Sequence, residues 1–143
     1  MVVAKDKYWR SAADKLGPMD LTIVWGELTY PEYYKKFKFG HGSRYGVITY
    51  YPDGVNHLSG QYINEHLSNN HLIFTDKATY KTAKDVRVGD IVMIEGYLVD
   101  VYGKRSDGRR LTWSTSTTRS DVNDGACEII YVENIMVLDS YRR

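Results

Sequence analysis

The sequence predicts an α+β fold, mostly β: an N-terminal helix followed by a strongly curved antiparallel sheet or a small, partly open barrel, with an OB-like barrel as one form. Three observations predict it. Apolar residues recur at helical spacing near the start of the chain, at Tyr8, Trp9, Ala12, Ala13 and Leu16. The later runs are rich in β-branched and aromatic residues and are punctuated by glycine, proline and aspartate. Thirteen tyrosines, against three phenylalanines and three tryptophans, suit half-buried sheet surfaces where the ring packs and the hydroxyl stays wet. A helix early and a β-meander late is the α+β pattern. With 143 residues the chain forms one domain, residues 1–17 helical and residues 18–143 a β-rich body.

The elements follow in order. Residues 5–16 read as an amphipathic helix that Gly17-Pro18 stops. Residues 21–28 read as a buried strand that Tyr30-Pro31 breaks. Residues 33–39 fit helix or strand, and Gly40, Gly42 and Gly46 mark a flexible loop before a strand at 47–51. Pro52-Asp53-Gly54 is a turn, because proline presets φ and glycine accepts a positive one. Residues 59–67 suit a short helix capped by Ser59, with Tyr62, Ile63 and Leu67 on one face. A strand at 72–75 and a loop or helical turn at 79–84 come next. Residues 91–102 are the strongest strand, with a bend or bulge expected at Gly96. Residues 103–110 close a hairpin to 111–118, and 128–138 form the last strand, giving an antiparallel meander of three.

Composition narrows the function. Hydrophobic residues at 43% and charged residues at 26% are globular values. A net charge of +1 speaks against a nucleic-acid partner. The single cysteine, Cys127, excludes an intramolecular disulfide and a cysteine-only zinc site. Apolar runs such as 91–94 are far short of a membrane span. The expected location is cytoplasmic, or else the chain is the soluble domain of a membrane-anchored protein whose anchor is absent.

The chemistry concentrates in two stretches. His66, Ser68, Asn69, Asn70 and His71 fall within six residues, and such side chains compete for backbone hydrogen bonds, so a tight turn is expected there. The functional alternative is a metal or acid/base site, with His66 and His71 as candidate ligands lacking a defined third. The second stretch holds Arg119, Asp121, Cys127 and Glu128. Arg119 and Asp121 can pair across a turn. The loop 121–125 is a turn rather than a calcium site, since its glycine stands early and no bidentate glutamate follows at the required distance. Cys127 with His71 suggests a thiol nucleophile, although no neighbour in the sequence supplies an activating group. Both stretches are dense in groups that cannot be buried unpaired, so they are expected to pack on each other. A third feature is the basic tip Lys104, Arg105, Arg109 and Arg110. With Lys35, Lys36 and Lys38 among Tyr33, Tyr34, Phe37 and Phe39, it resembles the cation-plus-aromatic recipe for single strands.

Taken in order, Trp9, Pro18 to Leu21, Trp25-Gly26, His66 to His71, Gly89 to Val99 and Thr117 to Glu128 resemble the signature of a family of uncharacterised bacterial proteins. The resemblance spans residues 8–138. It implies a soluble domain, often behind an N-terminal membrane anchor, and brings no activity with it. Three readings stay open. The first, favoured because no nucleophile–base–orienter set is recognisable and the charge is neutral, is a β-rich binding or assembly module presenting a polar pocket to a protein or small ligand. The second is a metal-binding or hydrolytic enzyme built from the His/Arg/Asp/Cys/Glu cluster. The third is a single-stranded nucleic-acid binder. The residues specify neither cofactor nor oligomeric state.

Overall fold

One five-stranded sheet organises the molecule. The computed structural model describes residues 1–50, 58–105, 107–121 and 126–141. In chain order the elements are β1 (Val2–Lys7), α1 (Ala12–Leu16), β2 (Met19–Val24), a 3-10 turn (Gly26–Thr29), α2 (Pro31–Tyr34), β3 (Phe37–Gly42) and β4 (Tyr45–Tyr50). They continue with α3 (Gly60–Glu65), β5 (Leu67–Phe74), α4 (Lys77–Asp85), β6 (Asp90–Leu98), β7 (Val101–Lys104), β8 (Arg110–Trp113) and β9 (Glu128–Ser140). Strands far outweigh the short helices, so the fold is α+β and mostly β. The main sheet has the order β1-β2-β5-β9-β6, while β3–β4 and β7–β8 are separate hairpins.

The two faces of this sheet have different chemistry, and strand alternation is the cause. Met19 and Leu21 of β2 and Leu72 of β5 face α4, where they pack with Ala83, Val86, Val132 and Ile135. The intervening Asp20, Thr22, Asn69 and His71 belong to the opposite face, and all four are buried. At one end of that face Val24 meets Leu28, Phe37 and Ile63 in a second apolar cluster. Hydrophobic burial on both sides therefore encloses a polar layer in the middle.

Several local expectations hold. Ser59 caps α3 by accepting a hydrogen bond from Tyr62 N at 3.0 Å. The register of β6 on β9 shifts at Glu95/Gly96, where the bulge was expected. Lys104 pairs with Arg110 to close the β7–β8 hairpin. The turn at 52–54 lies outside the described residues.

Other expectations are corrected. The N-terminal segment is a strand, and its helix begins only at Ala12, where Ser11 and Asp14 form a reciprocal capping box. Pairing of Lys5 with Leu21 and Lys7 with Met19 outweighs the helical spacing, and Trp9 on the supposed apolar face is 70% exposed. The strand at 21–28 ends at Val24, because Gly26 takes a positive φ and opens the 3-10 turn. The glycine-marked loop at 40–46 is instead a tight hairpin, β3 to β4, turning at Ser43 and Arg44. Residues 67–71 form part of a central strand, not a turn, because neighbouring strands supply the hydrogen bonds their side chains would otherwise seek locally. The helical turn near 79–84 is a nine-residue helix capped by Asp76. The three late strands are no single meander: β6 pairs with β9, but β7 and β8 pair only with each other. The sheet is mixed, since β5 and β9 run parallel, and it stays open at β1 and β6, so no barrel closes. Among the described residues no helix is long and apolar enough to cross a membrane.

Gly96 sits where β6 leaves no room for a side chain against β9. A Cβ there would lie 2.0 Å from the Tyr131 carbonyl oxygen, so the two strands would have to separate. Gly96→Ala is expected to destabilise by about 3 kcal/mol, the scale of severe overpacking. Urea unfolding measures this; an unchanged midpoint would show that the bulge relaxes freely.

Candidate functional site

The antiparallel register of β2 and β5 places Asp20 opposite His71 and Thr22 opposite Asn69. Asp20 has no exposed surface, and a lone buried carboxylate is strongly disfavoured. Its partners are therefore obligatory. His71 Nδ1 donates to Asp20 Oδ1 at 2.8 Å, and Arg44 Nη1 stands 3.6 Å from the same oxygen. Arg44 also donates through Nη2 to Asp14 Oδ1 at 2.6 Å and to the Gly17 carbonyl at 3.1 Å. Its guanidinium lies over the Tyr8 ring at 4.1 Å. Burial and the neighbouring Asp20 push the Tyr8 hydroxyl well above the usual tyrosine range. Ser43 and Arg44 hold φ of 50° and 70°, a conformation costly for non-glycine residues, and the ion pairs of Arg44 offset it.

His71 is 3% exposed and packs its ring 4.5 Å from that of Trp113. With Nδ1 committed to Asp20, the ring also feels the nearby Cys127 side chain, which favours its protonated form. Burial alone would lower the imidazole pKa, but hydrogen bonds to Asp20 and Cys127 outweigh it and bring it up to about 9. Cys127 stands just before β9, which runs parallel to β5 with Asn70 opposite Glu128 and His71 opposite Ile129. The segment after β8 fixes this corner: Ser116 N donates to the Cys127 carbonyl at 2.9 Å, and Ile129 N donates to Thr115 Oγ1 at 2.9 Å.

The half-buried Cys127 opens on a cavity of about 530 Å³ lined also by Ser68, Asn69, Arg119, Asp121 and Glu128. Arg119 Nη1 donates to Glu128 Oε1, and the Arg119 guanidinium lies 4.8 Å from the Trp25 ring centre. Burial raises the Glu128 pKa, with Arg119 pulling the other way. Asp121 does not pair with Arg119 as expected; its Oδ2 accepts from Ser116 Oγ at 2.7 Å. Asn70 Nδ2 donates to Ser68 Oγ at 2.8 Å and to the Leu21 carbonyl at 3.2 Å, so it serves the sheet.

Of the residues singled out in the sequence, Ser68, Asn69, His71, Arg119, Asp121, Cys127 and Glu128 come together. His66 does not. It follows α3, stacks on Tyr62 at 3.8 Å, and donates from Nδ1 to the Tyr62 carbonyl at 2.8 Å. His66 and His71 thus face different partners, and among the described residues no three His, Cys, Asp or Glu side chains are arranged to hold a metal ion. Four members escaped the sequence reading: Asp20, Thr22, His41 and Arg44. The one available signal was a carboxylate immediately before the apolar run Leu21 to Val24. Comparison with known protein families, curated proteins and solved structures finds no match.

The His71 pair has a definite pH signature. Its folded pKa, about 9, exceeds the ordinary 6.5, so its stabilisation is complete below about pH 6.5 and is lost as pH rises through 9. The stability advantage of wild type over Asp20→Asn is expected to be roughly 2–3 kcal/mol larger at pH 6 than at pH 10. Chemical unfolding across this range checks it; a pH-independent difference would mean that Asp20 does not hold the imidazolium.

Proposed function

We propose that the chain is a cysteine hydrolase or acyltransferase in which Cys127 is the nucleophile, His71 the general base and Asp20 the residue that orients it. The observation that carries this reading is a buried imidazole bonded to a carboxylate at 2.8 Å and lying beside a thiol that opens on a cavity. A nucleophile, a base and an orienter side by side are what covalent acyl transfer needs. Asp20 supplies the activating arrangement that no neighbour in the sequence provides.

The chemistry follows from these contacts. In the resting pair the thiol proton is held on the His71 imidazolium, which Asp20 stabilises through Nδ1, so the sulfur is ready as the nucleophile. The sulfur attacks an acyl carbon, forming the C–S bond of a thioester. The leaving alcohol or amine takes its proton from His71 as its bond to carbon breaks. Water, deprotonated by the same imidazole, or a second acceptor then releases the acyl group and regenerates the thiol. The cavity volume is that of a small-molecule site. His71 and Cys127 both fall in the segments that carry the resemblance to the bacterial family, and we extend the proposal to that family. A binding module would use the same cavity without thiol chemistry, so turnover separates the two readings.

The test is hydrolysis of p-nitrophenyl acetate. Cys127→Ala is expected to abolish enzymatic turnover, and His71→Ala to lower it by roughly 10²–10⁴-fold, the usual contribution of a general base. Circular dichroism of each variant confirms folding. Wild-type turnover no faster than that of Cys127→Ala would refute the nucleophile and leave the binding module.

A further inference from the structure

Acyl transfer at Cys127 develops negative charge on the carbonyl oxygen, and something must bind it. Resting on the nucleophile reading, we infer that the Asn69 side-chain amide is the donor for that oxyanion, and that His41 is the positioning residue that fixes which way the amide points.

Asn69 Nδ2 lies 3.7 Å from Cys127 Sγ. Once sulfur is bonded to the acyl carbon, the carbonyl oxygen is the nearest atom that can accept from this amide, within the reach expected of an oxyanion donor. The second N–H of the amide is already used, donating to the Arg44 carbonyl at 3.0 Å. Asn69 is 5% exposed, so its position is set by packing rather than by solvent.

The orientation of the amide is determined on its other side. Asn69 Oδ1 accepts from His41 Nε2 at 2.8 Å and from Thr22 Oγ1 at 3.2 Å. Thr22 Oγ1 is also 3.0 Å from His41 Nε2, which closes a three-membered polar ring. A flipped amide would set its oxygen against the Arg44 carbonyl, two acceptors in repulsion, and would lose the bond it accepts from the Nε2–H tautomer of His41, so a donor and never an acceptor faces the sulfur. His41 comes from β3, opposite Gly46 of β4. A Cβ on Gly46 would lie 2.9 Å from Thr22 Oγ1 and 3.3 Å from Asn69 Cβ, so glycine here lets the hairpin settle on the layer. The β3–β4 hairpin thus serves the site twice, through His41 on Asn69 and through Arg44 on Asp20.

Two reactions of the same thiol provide the test. Ester acylation passes through an oxyanion, whereas alkylation by iodoacetamide does not. Asn69→Ala is expected to lower kcat/KM for p-nitrophenyl acetate by roughly 10²-fold, the effect of losing one such donor, while the iodoacetamide rate constant changes less than about threefold. His41→Ala is expected to give a smaller loss with the same selectivity, and His41→Gln, which keeps an N–H donor, to restore most of it. A structural role would move both reactions together, and equal losses in both would overturn the assignment. Should the variants fail to fold, the wild-type protein decides: the Asn69 side-chain amide proton is expected to move downfield, as for a strengthened hydrogen bond, when acetaldehyde adds to Cys127 as a hemithioacetal, and not to move downfield on carboxamidomethylation. No downfield move with acetaldehyde overturns the inference. If the wild type shows no Cys127-dependent esterase activity, the nucleophile reading itself fails, and this inference with it.

Discussion

The carboxylate of Asp20, buried between β2 and the β3–β4 hairpin, imposes the conditions that the surrounding structure meets. A charge with no exposed surface needs compensating partners, and these are drawn from different elements. His71 of β5 donates to it, Arg44 of the hairpin turn pairs with it at 3.6 Å, and Tyr8, in the link between β1 and α1, packs its ring against the Arg44 guanidinium. Arg44 in turn requires Asp14 and the Gly17 carbonyl, so even the short helix α1 is tied to the same charge. The left-handed backbone at Ser43 and Arg44 is what a two-residue hairpin turn between Gly42 and Tyr45 requires, and that turn carries Arg44 to Asp20.

The parallel pairing of β5 with β9 has a consequence of its own. Parallel neighbours need a long connection, and here α4, β6, β7 and β8 occupy it. The two chain segments that meet at the site are consequently distant in sequence and adjacent in space. Their strands start at the same end of the sheet, which brings Cys127 and Glu128 beside Ser68 and Asn69 and leaves the cavity there. The antiparallel alternative would have set the start of β9 against the end of β5 and separated thiol from imidazole.

The same strands supply core and site because their side chains alternate. Leu21 and Leu72 contribute hydrophobic burial against α4, while Asp20 and His71, one residue away, carry the polar layer. Burial on the α4 face supplies the stability that lets the other face hold a strained turn and a cluster of ionisable groups. A register slip of one residue would exchange the two faces, so the apolar pattern that fixes the core also fixes the geometry of His71.

Features set by a few consecutive residues were legible in the sequence. Ser59 caps its helix and the tip between Lys104 and Arg110 closes a hairpin, since each depends on local backbone chemistry; the bulge at Gly96 was legible as well, although its close approach to the Tyr131 carbonyl was not. The polar density of residues 66–71 and 119–128 also pointed to where unusual chemistry would collect. Tertiary structure decided the rest. Residues 5–7 satisfy a helical spacing, yet an available β2 edge made them a strand. Residues 67–71 have turn-forming side chains, yet donors and acceptors on β2, β3 and β9 allowed them to lie extended and buried. Asp20 could not be assigned a role from its neighbours, because its partners His71 and Arg44 lie 51 and 24 positions away and meet it only when the strands pair. Local pattern determines how a segment can fold; which of the possible hydrogen bonds are made depends on what the completed sheet places opposite it.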